Sequence, residues 1–497
     1  MSDCIAEKVI IQVEKDIKNK NFDKALCKLR IVYFLKSFSV DFGNKSIDVI
    51  LKKISNMLFP KEMEYEPIKN NYVFCDSLSW DNHGITQQYI RALMAMGANI
   101  LYIRTQDTSK KAWHTQIYKE LQLYPNSQIS EIPKNRKFSE HAKLIYQWIK
   151  DFKPEKIFLH SSFSLADVLV LYKINIIDKY RINLGDHQYW PGIDCTNYII
   201  EFRNWGYTLS FQRRFFNKAN IFKLPYYPII DENDFEGFPS HIKKDTVLMF
   251  TGCRMYKVMD KDYTFFYIMK RLLIANPALV ILFAARDNNS VLKKFVIANK
   301  LQERLILLEY RRDINEVFRH VDLFLQTYPI GGGLMRDYAI SNKKAVLAYT
   351  STEKLENDLN IDDRHLGDEF GEYRLAYDNL DDFYREAGKL INDRIYREYI
   401  GACLNKYLMT QERFDVGLKQ IVQAKQQPQD ILLQEVFIDY ELLEKRYCIF
   451  RKREIMSYYL LIIKEFKLRT FYLFPKIIPY LPKMFVRLGR NILNKYH

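Results

Sequence analysis

The chain has 497 residues, 48% of them hydrophobic and 15% aromatic, and its formal net charge is +15. That length allows roughly three domains of about 150 residues, and the composition is typical of a globular protein with a large core. Seven scattered cysteines argue against a disulfide framework or a zinc site and indicate a reducing compartment. We see no signal peptide and no uncharged apolar run of about 18 residues, so we predict a cytoplasmic protein without a membrane span.

The first 60 residues read as amphipathic helices, with apolar side chains recurring on one face. Pro60 and Pro67 frame a linker after them. We therefore predict a small helical module over residues 1–66, to which the sequence assigns no chemistry.

A series of alternating strands and helices begins at Tyr72 and predicts a Rossmann-like domain over residues 67–232. The predicted strands cover residues 72–75, 99–104, 156–160, 181–185, 198–202 and 220–224. The predicted helices cover residues 85–97, 139–152, 165–174 and 208–218.

Two loops of this first series contain residues suited to catalysis, because ligands of open α/β sheets bind at the carboxyl ends of strands. One is the polar loop with His83 before a predicted helix. The other, residues 183–192 (NLGDHQYWPG), contains Asp186 and His187, a carboxylate that can orient a histidine titrating near neutral pH. Its Tyr189 and Trp190 are of the kind that line sugar sites. A solvated turn and a structural histidine beside a packed tryptophan remain the alternatives.

A proline-rich segment, residues 225–244, separates this series from a second one, which predicts another Rossmann-like domain over residues 233–410. Its predicted strands include residues 246–251 and 279–285, and residues 380–408 are predicted to form one helix. The first of these strands is followed by the loop GCRMYK, which supplies Arg254 and Lys257. Fixed cations of this kind suit a diphosphate, arginine as a fork and lysine as a point charge. Ordinary surface charge is the alternative.

The sequence TYPIGGGLMRDY, residues 327–338, lies where a predicted buried strand passes into a helix. Gly331, Gly332 and Gly333 allow the backbone to approach a ligand closely. The unpaired amides at the start of a helix favour a phosphate, and Asp337 lies one turn further, where it could accept hydrogen bonds from a ribose. A glycine-rich turn with nothing bound is the alternative.

These residues resemble the nucleotide-binding region of GT-B glycosyltransferases of the family 1/4 type and, distantly, of the O-GlcNAc-transferase type. The matching segment is residues 313–349, in which Asp322 begins the pattern and residues 327–333 form its glycine loop. The resemblance implies that Asp337 binds the ribose and that Lys257 contacts the nucleotide phosphates. It also implies an acceptor-side domain, a nucleotide-sugar domain and a cleft between them.

A second block, residues 183–203, resembles an acceptor-side motif of bacterial transferases of this kind. Four residues match it, namely His187, Trp190, Gly192 and Arg203. Gly185 replaces the first histidine of that motif. In the nucleotide-binding segment, Lys343 and Lys344 stand where the relatives often have a small residue and a proline. These departures concern the catalytic details more than the fold.

We predict C-terminal helices and a basic, aromatic tail over residues 411–497. Residues 441–497 contain 13 cationic and four anionic side chains, more than half of the net excess charge. Such a tail suits the surface of an anionic membrane. A packed helical segment and, less favoured, a single-stranded nucleic-acid site are the alternatives.

The sequence thus predicts an α/β protein of GT-B fold with an N-terminal helical module and a basic C-terminal tail. The resemblance implies a transferase that moves a sugar from a nucleotide-sugar donor to a bacterial surface glycan, which we expect to be lipid-linked, at the cytoplasmic face of the membrane. It implies no cofactor and no metal, and we expect no nucleic-acid partner. A protein glycosyltransferase and a non-catalytic GT-B subunit remain alternatives.

Overall fold

The computed structural model describes residues 2–78, 80–82, 85–105, 115–133, 137–161, 164–230, 233–243, 245–285, 288–350, 373–457, 463 and 466. The chain divides into two compact units, Met1–Leu224 with Asp415–His497, and Pro225–Phe414. The helical module predicted over residues 1–66 and the described residues 415–457 of the segment predicted over residues 411–497 thus belong to the same unit as the first sheet.

The first unit contains a parallel sheet of seven strands in the order β3-β2-β1-β4-β5-β6-β7. The strands are β1 (Asn71–Asp76), β2 (Asn99–Arg104), β3 (Ser127–Glu131), β4 (Lys156–His160), β5 (Asp178–Ile182), β6 (Tyr198–Glu201) and β7 (Ile221–Lys223). After β1 the chain adds β2 and β3 on one side of that strand, and it then adds β4 on the other side of β1. This reversal between β1 and β4 creates the kind of crevice in which α/β proteins bind ligands.

In the described residues, eight α-helices precede or connect these strands. They are α1 (Ser2–Lys18), α2 (Phe22–Lys36), α3 (Ser46–Leu58), α4 (Thr86–Ala95), α5 (Thr115–Leu123), α6 (Phe138–Phe152), α7 (Leu165–Leu171) and α8 (Asn204–Gln212). The first three share one hydrophobic core with α6, α7 and one face of the sheet. The hydroxyl of Ser55 on α3 donates to the carbonyl of Leu169 on α7 at 2.6 Å. The N-terminal helices are therefore part of the first unit's core.

The second unit contains a parallel sheet of six strands in the order β10-β9-β8-β11-β12-β13. The strands are β8 (Val247–Cys253), β9 (Leu279–Ala285), β10 (Leu305–Leu308), β11 (Leu323–Leu325), β12 (Ala345–Tyr349) and β13 (Ala376–Tyr377). The helices are α9 (Thr264–Ala275), α10 (Ser290–Ala298), α11 (Ile314–His320), α12 (Gly333–Ser341), α13 (Leu380–Asn392) and α14 (Arg394–Tyr407). Here the chain reverses between β8 and β11. The predicted pair of Rossmann-like sheets is confirmed.

The C-terminal segment packs on the first sheet and on the N-terminal helices. It contains α15 (Gln411–Lys419), which continues into a wider turn at Gln420–Ala424, and α16 (Tyr440–Ser457). The Gln427 side chain pairs with both backbone groups of Lys223 on β7. On α16, the buried Tyr447 ring contacts Phe38 and Phe42. The first helix of the predicted basic tail is thus packed against the fold, whereas residues 458–462, 464–465 and 467–497 lie outside the described residues.

Several predicted elements differ from the structure, and the helix predicted over residues 208–218 spans Asn204–Gln212. The fifth strand begins at Asp178, three residues before the predicted start, and ends at Ile182. The single helix predicted over residues 380–408 is two helices, because the Asp393 side chain accepts a hydrogen bond from the Tyr396 amide and caps a new helix. Helix α5 and strand β3 were not predicted, and β3 is a half-exposed edge strand with the polar sequence SQISE.

Among the described residues, no helix combines the length and the apolar character that crossing a membrane requires.

The packing of α14 against the start of β12 gives a test of the second unit. A Cβ at Gly401 would overlap the backbone of Lys343, whereas a Cβ at Gly388 on α13 meets no atom within 4 Å. We expect Gly401→Ala to destabilise the second unit by ~1–3 kcal/mol, the usual cost of overpacking. Gly388→Ala should stabilise it by ~0.4–1 kcal/mol by restricting the unfolded chain. Thermal denaturation of both variants measures this, and equal effects would contradict the close approach of α14.

Candidate functional site

In the second unit, the loops that follow β8 and β11 are joined at the point where the chain reverses. The Lys257 ammonium donates to the carbonyl of Gly331 at 3.0 Å, and the Ile330 amide donates to the carbonyl of Lys257 at 3.1 Å. Strands β8 and β11 are parallel neighbours, so their loops emerge at the same edge of the sheet. The predicted meeting of the two loops is confirmed.

The joined loops expose groups that suit an anion. Gly332 and Gly333 are half-exposed at the start of α12, Lys257 is half-buried, and Arg254 is exposed. A Cβ at Gly332 would lie 3.5 Å from the Lys257 nitrogen, which shows how close that cation is to the glycine backbone. The first turn of a helix carries partial positive charge. The start of α12 and the Lys257 ammonium therefore lie together at one edge of this sheet, and Arg254 lies in the same loop as Lys257. The Gly332 amide donates to the Gln326 side chain at 3.2 Å.

Asp337 lies in α12 and is buried, with 3% of its surface exposed. The guanidinium of the neighbouring Arg336 donates to its carboxylate at 2.9 Å. The carboxylate thus already has a cationic partner, and its contact with a ribose stays a prediction.

In the first unit, the loop that follows β5 holds Asp186 and His187 in a defined geometry. Asp186 is fully buried and accepts two hydrogen bonds from the Arg203 guanidinium, at 2.5 and 2.9 Å. The Nδ1 atom of His187 lies 3.4 Å from the same carboxylate, and 27% of the His187 side chain is exposed. Burial alone would raise the pKa of Asp186, but Arg203 and His187 outweigh it and hold that pKa at about 2. An ionised carboxylate therefore faces one nitrogen of a partly exposed imidazole.

Contacts from both ends of the chain hold this loop in place. The Tyr189 amide donates to the carbonyl of Ser37 at 3.1 Å, and the Gly192 amide donates to the Asp48 carboxylate at 2.6 Å. From the C-terminal side, the Tyr447 hydroxyl donates to the carbonyl of His187 at 2.7 Å. Burial raises the pKa of Asp48 to about 6. The loop is therefore fixed by α3, by the turn after α2 and by α16.

The two aromatic residues predicted to line the acceptor site are mostly enclosed. Tyr189 is fully buried and its hydroxyl donates to the carbonyl of Asn44 at 3.2 Å. Trp190 is 2% exposed, and the guanidinium carbons of Arg181 and Arg214 lie 3.8 and 5.2 Å from its ring centroid. Both still form part of the wall of a small pocket. His83, the other predicted catalytic histidine, lies outside the described residues.

The structure also brings together polar residues that the sequence reading did not single out. Asp76 and His160 end the adjacent strands β1 and β4 and are register partners. Both are buried, and Nδ1 of His160 lies 3.2 Å from the Asp76 carboxylate, which also accepts hydrogen bonds from Thr86 and Tyr102. The sequence signal for this pair was an acidic residue at the end of one apolar strand and a histidine at the end of another.

Glu201 at the end of β6 is a second buried acid that the sequence reading missed. It accepts hydrogen bonds from Asn183 at 2.9 Å and Ser210 at 2.5 Å. Burial raises its pKa to about 7, although Arg214 opposes this shift. The described residues contain no cluster of three or more His, Cys, Asp or Glu side chains that could hold a metal ion.

Comparison with solved structures shows the fold class. Over 71% of this chain and 99% of the other, the chain overlays HepE from Anabaena in complex with UDP and glucose, with a TM-score of 0.50 and 10% identity. A glycosyltransferase from Rickettsia africae gives a TM-score of 0.51 at 10% identity, over 72% of this chain and 99% of the other. A Listeria monocytogenes protein assigned as a UDP-N-acetylglucosamine 2-epimerase gives 0.51 at 12% identity, over 75% of this chain and 100% of the other.

These likenesses confirm the predicted GT-B fold, and at such low identity they show the fold alone. No protein-family model matches the sequence, and a comparison with curated protein sequences found no match.

The pairing of Asp186 with Arg203 predicts a pH-dependent stability. Because the folded pKa of Asp186 is below the usual value of about 3.9, the pair stabilises the fold above about pH 4, and this contribution is lost as the pH falls toward 2. Arg203→Gln leaves a buried carboxylate without its main partner, at a cost of ~3–5 kcal/mol near neutral pH.

In that variant burial raises the pKa of Asp186, so the deficit relative to the unmodified chain should shrink on acidification as the carboxyl protonates. Melting temperatures at about pH 7 and about pH 4 measure this. Arg213→Gln is the control, because Arg213 stacks on Tyr440 at 3.8 Å. Parallel pH responses of the two variants would show that Asp186 is not responsible.

Proposed function

We propose that the chain is a nucleotide-sugar-dependent glycosyltransferase that extends a bacterial surface glycan. The observation that carries this proposal is the joined pair of loops at the chain reversal of the second unit. Lys257 contacts Gly331 directly, and the half-exposed Gly332 and Gly333 begin α12 beside it. This arrangement has the charge and the open backbone that a nucleoside diphosphate requires.

The donor half of the reaction follows from these groups. As the bond between the anomeric carbon and the diphosphate oxygen breaks, negative charge accumulates on the leaving diphosphate. Lys257, Arg254 and the first amides of α12 stabilise that charge, as a metal ion does in other transferases. The likeness to HepE, whose structure contains UDP and glucose, supports UDP as the first nucleotide to test.

For the acceptor side of the reaction, we assign His187 as the general base. Asp186 faces Nδ1 of His187 and so favours the tautomer in which Nδ1 carries the proton and Nε2 is free to accept one. The acceptor hydroxyl gives its proton to Nε2 while its oxygen bonds to the anomeric carbon. Arg203 keeps the Asp186 carboxylate ionised.

A nucleotide-sugar epimerase is a second candidate, favoured by the likeness to the Listeria protein. Such an enzyme would use the same diphosphate site but need no acceptor. Incubating the chain with UDP-sugars alone, with lipid-linked glycans and with peptides separates the possibilities. A converted sugar without acceptor indicates an epimerase, transfer to a peptide indicates a protein glycosyltransferase, and no reaction with any substrate indicates a non-catalytic subunit.

We also propose that the basic segment after α16 contacts an anionic membrane surface, where a lipid-linked acceptor would be presented. The support is its charge, eight cationic against one anionic side chain over residues 458–497, interleaved with aromatic and aliphatic residues.

One prediction of the proposed function concerns the binding of the nucleotide. Lys257→Ala should weaken UDP binding by ~1–3 kcal/mol, since it removes a charged donor and the link between the two loops. Isothermal titration with UDP measures this. Lys294→Ala, which removes an exposed cation on α10, is the control and should bind normally. If both variants bind UDP like the unmodified chain, the joined loops are not the diphosphate site.

Another prediction concerns His187 as the general base. His187→Ala should lower the transfer rate by roughly 10²–10⁴ without changing UDP affinity. The rate is measured as product formed with the acceptor found above, and His241→Ala, an exposed histidine in the segment before β8, is the control. Normal transfer by His187→Ala would remove His187 from the mechanism.

A further inference from the structure

The segment of residues 225–229, with which the second unit begins, contacts α12 at two points. In the second turn of the helix, the Tyr338 hydroxyl donates to the carbonyl of Ile229 at 2.7 Å. At the first residue of the helix, a Cβ on Gly333 would lie 2.5 Å from the hydroxyl oxygen of Tyr226. The Tyr226 hydroxyl is therefore placed directly against the backbone with which α12 begins.

This hydroxyl explains why a glycine stands at position 333. The backbone of Gly333 does not adopt a positive φ, so its conformation does not require a glycine. Apart from the hydroxyl oxygen, the atoms closest to a Cβ at this position would be Cζ of Tyr226 at 3.8 Å and Nη2 of Arg336 at 4.0 Å. The close approach of one oxygen atom thus excludes any side chain at residue 333.

The surroundings of the Tyr226 hydroxyl are positively charged. A Cβ on Gly332 would lie 3.5 Å from the Lys257 nitrogen, and the first turn of α12 adds partial positive charge. The Asp337 carboxylate, which could oppose this charge, is already paired with the Arg336 guanidinium at 2.9 Å. A hydroxyl can donate as well as accept, and here the favourable acceptor for its proton is an anion.

The backbone amides available to a ligand lie at the same place. The Gly332 amide donates to the Gln326 side chain, whereas the first amides inside a helix have no acceptor within it. In α12 these amides begin at Gly333, the residue that Tyr226 contacts. Tyr226 is half-buried and Gly333 half-exposed, so a ligand can reach both.

We infer that Tyr226 is a further binding residue of the proposed diphosphate site, and that its hydroxyl donates to a phosphate oxygen held at the start of α12. Lys257 supplies charge beside Gly332, and Tyr226 supplies a directed donor beside Gly333. The inference rests on the proposed function for the diphosphate. It gives residues 225–229 a part in ligand binding, although the sequence indicated only a boundary there.

Isothermal titration of the full chain with UDP tests this role, together with displacement of UDP by inorganic pyrophosphate, which contains two phosphates and no nucleoside. Tyr226→Phe removes only the hydroxyl. It should weaken the binding of both probes by roughly tenfold or more, as expected for a lost hydrogen bond to a charged group. Tyr399→Phe, at an exposed tyrosine of α14, is the control and should bind both probes normally.

Tyr338→Phe separates binding from a structural role, because it removes the other contact between the segment and α12. It should lower the melting temperature and leave the UDP affinity unchanged. If Tyr338→Phe weakens UDP binding as much as Tyr226→Phe does, the Tyr226 hydroxyl acts by holding the segment in place, and its role in binding is overturned.

Gly333→Ala tests the geometry, and its expected effect is a lower melting temperature, because the new Cβ collides with the Tyr226 hydroxyl. In the double variant with Tyr226→Phe, the nearest ring atom would be 3.8 Å from that Cβ, which is an ordinary contact. The double variant should therefore melt above Gly333→Ala alone, a coupling typical of residues in contact. A double variant that melts no higher would overturn the inference.

The binding data also separate this inference from the proposed function. If the unmodified chain does not bind UDP, or if pyrophosphate does not displace UDP from it, the diphosphate site itself is contradicted and Tyr226 loses its role with it. If the unmodified chain passes both tests and Tyr226→Phe gives the same affinities, only the role of Tyr226 is overturned. A weaker affinity of Tyr226→Phe for UDP with unchanged displacement by pyrophosphate places the tyrosine at the nucleoside, which also overturns the inference.

Discussion

The position of the first strand in the middle of each sheet is the constraint on which the candidate sites depend. In both units the chain builds outward from β1 or β8, returns, and continues on the other side of that strand. Because every pairing is parallel, the loops after β1 and β4, and those after β8 and β11, emerge together at one edge. The Asp76–His160 pair and the Lys257–Gly331 contact both lie at these reversals. Topology, more than any single side chain, brings together residues that are far apart in sequence.

The loop after β5, which we propose to face the acceptor, depends on contacts from distant parts of the chain. Its backbone is fixed by Ser37 and Asp48 of the N-terminal helical region and by Tyr447 of α16. Arg214 donates to the carbonyls of Asp186 and Gln188 from beneath the loop. A loop fixed at this many points can hold a histidine at a constant position relative to its carboxylate, which general base catalysis requires. The N-terminal helices thereby acquire a role that their sequence alone did not suggest.

The alternation of strands and helices could be predicted from the sequence because the apolar runs of buried strands are bounded by polar loops. The strands at residues 156–160 and 279–285 were predicted with their observed bounds. The prediction of strand bounds was wrong where charged side chains are buried. Strand β5 begins three residues earlier than predicted, since Lys179 and Arg181 are buried and donate to the carbonyls of Ile174 and Ser161. Tyr189 and Trp190 were correctly noticed as unusual, but a sequence does not tell whether an aromatic ring faces a ligand or the core. The pairing of Lys257 with Gly331 followed from topology, whereas that of Asp337 with Arg336 did not.

The fold leaves the reaction open, because one fold can carry different reactions, and the chain overlays both a glycosyltransferase and a protein assigned as an epimerase. The two proposed reactions differ in their need for an acceptor. A general base for an acceptor hydroxyl has a use only in the proposed transfer, which therefore depends on the loop that holds His187 beside the ionised Asp186.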